Sequence, residues 1–189
     1  KKIAKKVIEL EIQGLRKLRR FINSSFNNAV EVIANCQSKI IIAGVGKSGL
    51  IASKIASTFS SVGTPAFSIS ASDCSHGDLG SITRKDVLIL ISNSGNSDEL
   101  KNIIQYANRY KIKLISVVSK KDSLLYKAAD IKLLLPEVEE AGYGIVPTAS
   151  TSVQLSIGDA LAISLMNYKK FGKLDFKKFH PAGSLGKKL

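Results

Sequence analysis

Five short, unbroken apolar runs separated by stretches of helical periodicity constrain this chain more than any other feature. They fall at 39–45, 65–69, 87–92, 113–118 and 130–135, with Ile40-Ile41-Ile42 and Val87-Leu88-Ile89-Leu90-Ile91 as the purest. A strand that is apolar at consecutive positions has no side to give to water, so it must be covered on both faces, as strands of parallel sheets are. Parallel neighbours need a long crossover, and the segments opening near Ser48, Asp98 and Ser123 have the spacing of helices that could supply it. The expected fold is therefore α/β, a doubly wound five-stranded parallel sheet flanked by helices, flavodoxin-like in plan.

Two helices are expected before the first strand. Residues 1–22 place Ile8, Ile12, Leu15, Leu18 and Ile22 at intervals of three and four among lysines and arginines, an amphipathic pattern that needs a partner surface. The second follows Asn23-Ser24-Ser25, where a serine is expected to cap it, and carries Phe26, Ala29, Val30 and Ile33 on one face. A last long helix is expected over 151–168, followed by a tail punctuated by lysine and glycine over 171–189. No repeat divides the chain, so one domain over 1–189 is expected: N-terminal helices at 1–37, the α/β core at 38–170, then the tail.

Charge and cysteine usage remove several classes of function. The 28 Lys and Arg against 15 Asp and Glu leave a net charge of +13, which raises nucleic acid as a partner. Against it, the basic residues are scattered, aromatics are 6% with no Trp, and no helix-turn-helix, RRM or zinc-finger pattern occurs. The charge reads as a solvated lysine-rich surface whose general field draws in anions. No apolar run reaches the roughly eighteen residues of a membrane span, and the Lys-rich start does not read as a signal peptide. Cys36 and Cys74 stand alone, with neither a disulfide ladder nor a zinc pattern. A soluble protein of the reducing cytoplasm is expected.

Ligands of such folds sit beyond the carboxyl ends of the strands, so the chemistry is sought in the loops there. The first is Gly44-Val45-Gly46-Lys47-Ser48-Gly49. It is not a Walker A loop, because Ile41 stands where that motif needs its first glycine. Three readings remain open. It matches G-x-G-x-x-G, with Asp73 beyond it where a ribose-binding acid would be sought, which permits a dinucleotide. It is also what a plain tight turn needs. The favoured reading is a turn offering backbone N–H groups, the Ser48 hydroxyl and the Lys47 ammonium to a phosphorylated ligand.

The third apolar run opens into Ser92-Asn93-Ser94-Gly95-Asn96-Ser97-Asp98-Glu99 ahead of a helix. Ser92, Asn93, Ser94 and Ser97 could hold a terminal phosphate at the positive end of that helix without a metal, or could simply cap it. Glu99, in the first helical turn, is either a base directed into the same mouth or a carboxylate favouring the helix dipole. The only two histidines, His76 and His180, lie in segments marked by glycine and proline, where imidazole chemistry is plausible. Asp73, Cys74, His76 and Asp78 are metal-ligand types, but crowded into six residues they have no recognised ligand spacing, so no metal is expected.

The motifs Gly44-Val45-Gly46-Lys47-Ser48-Gly49, His76-Gly77-Asp78-Leu79-Gly80, Ser92-Asn93-Ser94-Gly95, Pro147-Thr148-Ala149-Ser150-Thr151, Gly158-Asp159-Ala160-Leu161 and His180-Pro181-Ala182-Gly183-Ser184-Leu185-Gly186 resemble the SIS domain of D-arabinose 5-phosphate isomerases. The likeness runs from about residue 39 to the end. It differs at Asp73, where the family commonly has glutamate, and at Ala182, where it has glycine. Most members continue into a pair of CBS modules, which this sequence does not contain.

The resemblance implies interconversion of D-ribulose 5-phosphate and D-arabinose 5-phosphate, the entry to Kdo synthesis for lipopolysaccharide or capsule, in a cytoplasmic homotetramer. It implies that Lys47, His76, Glu99 and His180 are active-site residues, His180 coming from a neighbouring subunit, and that Ser48, Ser92, Ser94 and Ser97 bind phosphate. The first helix would then pack subunits together. Such a reaction needs a base beside a carbonyl and an oxyanion stabiliser but no redox cofactor. Glu99 is the expected base, with His76 its rival, and Lys47 the oxyanion partner. Two other functions stay open: an SIS isomerase of another sugar phosphate, and a non-catalytic sugar-phosphate sensor.

Overall fold

The computed structural model describes residues 1–181. Helices α1 (Lys2–Phe21) and α2 (Ser24–Ala34) lead into β1 (Ile40–Gly44), α3 (Lys47–Ser61) and β2 (Ala66–Ser70). Two short 3-10 turns, Asp73–His76 and Asp78–Ser81, then reach β3 (Val87–Ile91), followed by α4 (Glu99–Arg109), β4 (Lys113–Val118), α5 (Leu124–Ala128) and β5 (Ile131–Leu134). The chain closes with α6 (Ala141–Ile145), α7 (Ala149–Tyr168) and α8 (Lys173–Phe179). The terminal segment from Ala182 through Gly183-Ser184-Leu185-Gly186, part of the motif around His180, lies outside the described residues.

All strand pairs are parallel and the order is β2-β1-β3-β4-β5. The period-two alternation of a strand explains how the continuous apolar runs are used. Ile40, Ile42, Val87, Ile89, Ile91, Ile115 and Val117 enter one core with α2, α3 and α7. Ile41, Ala43, Leu88, Leu90, Leu114 and Val118 enter the other with α4, α5 and the first 3-10 turn. Every residue of β1 and β3 is buried, as two-sided cover requires. At the edge the expectation weakens: only Ala66 of β2 is buried, and Phe67 faces outward.

Three local features differ from the sequence expectation. Asn23, not a serine, caps α2, its side chain accepting the Ser25 N–H at 2.9 Å. The long helix begins two residues early, at Ala149. The tail contains α8, too short for periodicity to reveal and started by Asp175, whose carboxylate accepts the Gly172 N–H at 3.0 Å.

The first amphipathic helix finds its partner in α7, where Gly14 lets the helices approach: a Cβ there would stand 3.2 Å from Val153. On its other side α7 packs on α3, with Gly158 receiving Ile55. Contact on both sides explains why α7 buries nine residues, Ser150 and Gln154 among them, yet has no single apolar stripe. No helix among the described residues is long and apolar enough to cross a membrane.

Candidate active site

The strand order reverses between β1 and β3, and a crevice forms beyond their carboxyl ends where the chain leaves in opposite directions. Here it is a cavity of about 340 Å³ lined by Lys47 and Ser48 after β1, Asn93 after β3, Glu140, and Ser150 and Gln154 of α7. The cavity is built by close backbone contact. A Cβ on Gly44 would lie 2.7 Å from the carbonyl carbon of Ser48, so the end of β1 and the first turn of α3 leave no room for a side chain. Gly46, with φ of 56°, makes the turn between them. No side chain caps α3, so its first N–H groups and its dipole face the crevice beside the exposed Lys47 ammonium, an arrangement suited to an anion.

The opposite wall is α7, which sequence reasoning did not assign to the site. Glu140 reaches its N-terminus: Oε2 accepts the N–H of Thr148 at 2.8 Å and of Ser150 at 3.3 Å. Burial pushes this carboxyl up, but hydrogen bonds from Ser150 and Thr148 outweigh it and hold the group below the usual carboxylate range. Behind it, Gln154 is 1% exposed and its Oε1 accepts the Ser48 hydroxyl at 3.0 Å, joining α7 to the loop after β1. The Pro147-to-Thr151 motif marked this region only through family resemblance. Nothing in spacing alone could pair Gln154 with Ser48 across 106 residues.

The serine loop is more structured than a row of free hydroxyls. Ser92 is buried and its Oγ accepts the Gly95 N–H at 3.0 Å, 3.5 Å from Ser97 Oγ. The turn this creates requires Gly95, with φ of 70° and the Val118 and Ser123 side chains packed against it. Asn93 is locked to the next loop, its main-chain and side-chain oxygens accepting the Ser119 hydroxyl at 2.6 and 2.9 Å. Ser94 and Asn93 are exposed and Ser97 half-buried, so of this loop only Asn93 lines the cavity itself.

Glu99 and His76 are not among the residues that line this cavity. Glu99 is the exposed first residue of α4, and one turn on, Asn102 donates to Ser75 Oγ at 2.9 Å. Residues three apart share a helix face, so this bond brings the His76 turn against the face that carries Glu99. His76 is exposed. The four potential metal ligands of this turn diverge, because Cys74 enters the core while Asp73, His76 and Asp78 face outward. Burial, and then the charges of Asp78 and Asp73, push the Cys74 thiol up to about 11, which leaves it no thiolate character at neutral pH. Among the described residues no three His, Cys, Asp or Glu side chains group around a metal-sized site.

His180 lies elsewhere. Its ring stacks on Phe176 at 3.9 Å with Nδ1 2.8 Å from the Phe176 carbonyl oxygen. The neighbouring Phe179 stacks on Phe171 at 5.7 Å, and Phe171 covers Gly63, just before β2 begins. His180 is thereby held at the amino-terminal end of the sheet, opposite the crevice of its own chain.

This fold and crevice define a parallel α/β domain with an anion-suited helix N-terminus at its switch point, and residues 33–164 match the SIS domain family. The chain belongs to that family. It is 46% identical over 98% of its length to the arabinose 5-phosphate isomerase KdsD of Yersinia pestis, covering 57% of that protein. With the KdsD of Salmonella typhi it shares 42% over 98%, again covering 57%. The chain thus spans somewhat more than half the length of these curated relatives. Among solved structures, E. coli CFT073 c3406 in complex with arabinose 5-phosphate superposes with a TM-score of 0.90 at 37% identity, covering 94% of this chain and 95% of that one.

Proposed function

We propose that this chain is an aldose-ketose isomerase interconverting D-ribulose 5-phosphate and D-arabinose 5-phosphate through an enediolate, the first step toward Kdo. The observation that carries the reading is its near-complete likeness to a structure holding arabinose 5-phosphate, in a domain whose crevice pairs an uncapped helix N-terminus with a lysine. The phosphate lies against the loops after β1 and β3, received by Ser94, Ser97 and Asn93 with the first backbone N–H groups of α3, that of Ser48 among them, while Ser92 holds the loop in shape. Glu99 removes a proton from C1 of the ketose, Lys47 stabilises the oxygen of the enediolate, and Glu99, its proton open to exchange with solvent, returns a proton to C2. His76 and His180 move the hydroxyl proton from O1 to O2 and assist ring opening.

His180 serves the crevice of a neighbouring copy, since α8 holds it at the far end of its own sheet. The working unit is accordingly a homo-oligomer, a cytoplasmic tetramer in this reading. No metal or redox cofactor takes part. The test is incubation of EDTA-treated protein with D-ribulose 5-phosphate in deuterated water, followed by proton NMR. Arabinose 5-phosphate with solvent exchange at C2 supports the enediolate route; binding without conversion overturns the enzyme reading in favour of a sensor. Glu99→Gln is expected to lower kcat by about 10²- to 10⁴-fold with a modest change in KM, and near-parental turnover removes Glu99 from the role.

A further inference from the structure

Gln154 is a buried amide with a job on only one of its two ends. Its Oε1 accepts the only proton that Ser48 Oγ has to give, at 3.0 Å. No fully enclosed polar side-chain atom among the described residues lacks a hydrogen-bond partner, and Nε2 has no partner there, so this nitrogen must reach open space. The side chain lines the crevice next to Lys47 and Ser48, so the amide N–H bonds open on the cavity. Ser48, with its proton committed, offers the cavity only lone pairs. Phosphate oxygens are acceptors and cannot use them.

We propose that Gln154 is a ligand-binding and positioning residue of this site: its amide nitrogen donates to an oxygen of the phosphorylated ligand while its carbonyl fixes the Ser48 hydroxyl. The neutral donor of this corner is therefore Gln154, and Ser48 acts through it. Ser150, one turn earlier on α7, shares the wall, and Glu140 holds that turn in register through the Thr148 and Ser150 N–H groups. The inference rests on the sugar-phosphate reading for its substrate but not for its site.

The test compares Gln154→Leu, Gln154→Glu and Ser48→Ala, each first confirmed to be folded by its far-UV circular dichroism and melting curve. Two readouts are taken: the dissociation constant of inorganic phosphate by calorimetry, and KM and kcat for D-ribulose 5-phosphate. Gln154→Leu is expected to weaken phosphate binding and to raise KM, each by about 10-fold or more, with kcat changing less, because a binding contact is lost. Gln154→Glu keeps an acceptor for Ser48 but removes the donor and adds a charge, so it should weaken both further. Ser48→Ala should weaken them less than Gln154→Leu.

Phosphate affinity and KM within twofold of the parent in a folded Gln154→Leu protein would overturn the proposal, as would a Ser48→Ala defect larger than that of Gln154→Leu. If Gln154→Leu does not fold, Gln154→Glu decides on the same criterion. Loss of phosphate affinity in the Gln154 variants of a parent that turns over no ribulose phosphate would uphold the site and refute the isomerase reading alone.

Discussion

Gly44→Ala tests whether the crevice depends on the contact of β1 with α3. The added Cβ would stand 2.7 Å from the Ser48 carbonyl carbon, 2.8 Å from its oxygen and 2.9 Å from the Gly49 nitrogen. All three are backbone atoms of one helical turn, so no side chain can swing aside. Gly44 has no left-handed φ, and the penalty is one of space alone. The overlap amounts to about 0.5 Å or more against an ordinary carbon contact, and relieving it must move the turn that carries Lys47 and Ser48. Overpacking of this kind costs about 1–3 kcal/mol.

At roughly 2–4 °C per kcal/mol for a domain of this size, a cost of about 2 kcal/mol lowers Tm by about 4–8 °C. Displacing the turn by even a fraction of an ångström should lower kcat/KM for ribulose 5-phosphate by up to about 10²-fold. Thermal melts followed by circular dichroism, with the coupled isomerase assay, measure both. Gly80→Ala is the stability control, since a Cβ there meets nothing within 4 Å and its φ is not left-handed. A Gly44→Ala protein that melts with the parent and turns over normally would refute the reasoning.

Other parts of the fold make their own predictions. Asp86 is buried and joins the start of β1 to the approach to β3, accepting the Lys39 N–H at 3.2 Å, the Lys39 ammonium at 3.0 Å and the Thr83 N–H at 2.7 Å. Burial pushes its carboxyl up, but hydrogen bonds from Thr83, Ser38 and Lys39 outweigh it and hold the pKa below the ordinary value. A depressed carboxylate stabilises the fold above its unfolded pKa and loses that contribution as pH falls through the folded one. Asp86→Asn should therefore cost about 1–3 kcal/mol at pH 7 in urea titrations, with a difference from the parent that shrinks below about pH 4. Glu140→Gln should cost about 1 kcal/mol by removing the charge at the α7 N-terminus, with faster amide exchange at 148–151; unchanged exchange there would remove Glu140 as the cap.

The centre of the sheet was legible because β1 and β3 are covered on both faces, and continuous burial writes a continuous apolar run. The edge was less so: Phe67 is apolar yet faces outward, since β2 has only one neighbouring strand and α3 covers its other face. Residues of the candidate site were legible where a strand runs directly into a helix, because glycine, serine and lysine at that junction have local reasons to be there. Lys47, Ser48 and Asn93 are of this kind. Glu140 and Gln154 are not, because each gains its meaning from a partner that only the folded chain supplies.

Gln154 in sequence is one of several polar residues of α7, and nothing there marks it as buried. In the fold it is buried beside a hydroxyl that would otherwise face the cavity alone. An interior amide disfavours burial unless both its ends are used, and here only the carbonyl is used among the described residues. The other end, in the role proposed for Gln154, is where a ligand completes the hydrogen bonding. The wall of the crevice thus includes α7, whereas His180, conspicuous in sequence, is held away from the crevice of its own chain by the packing of α8.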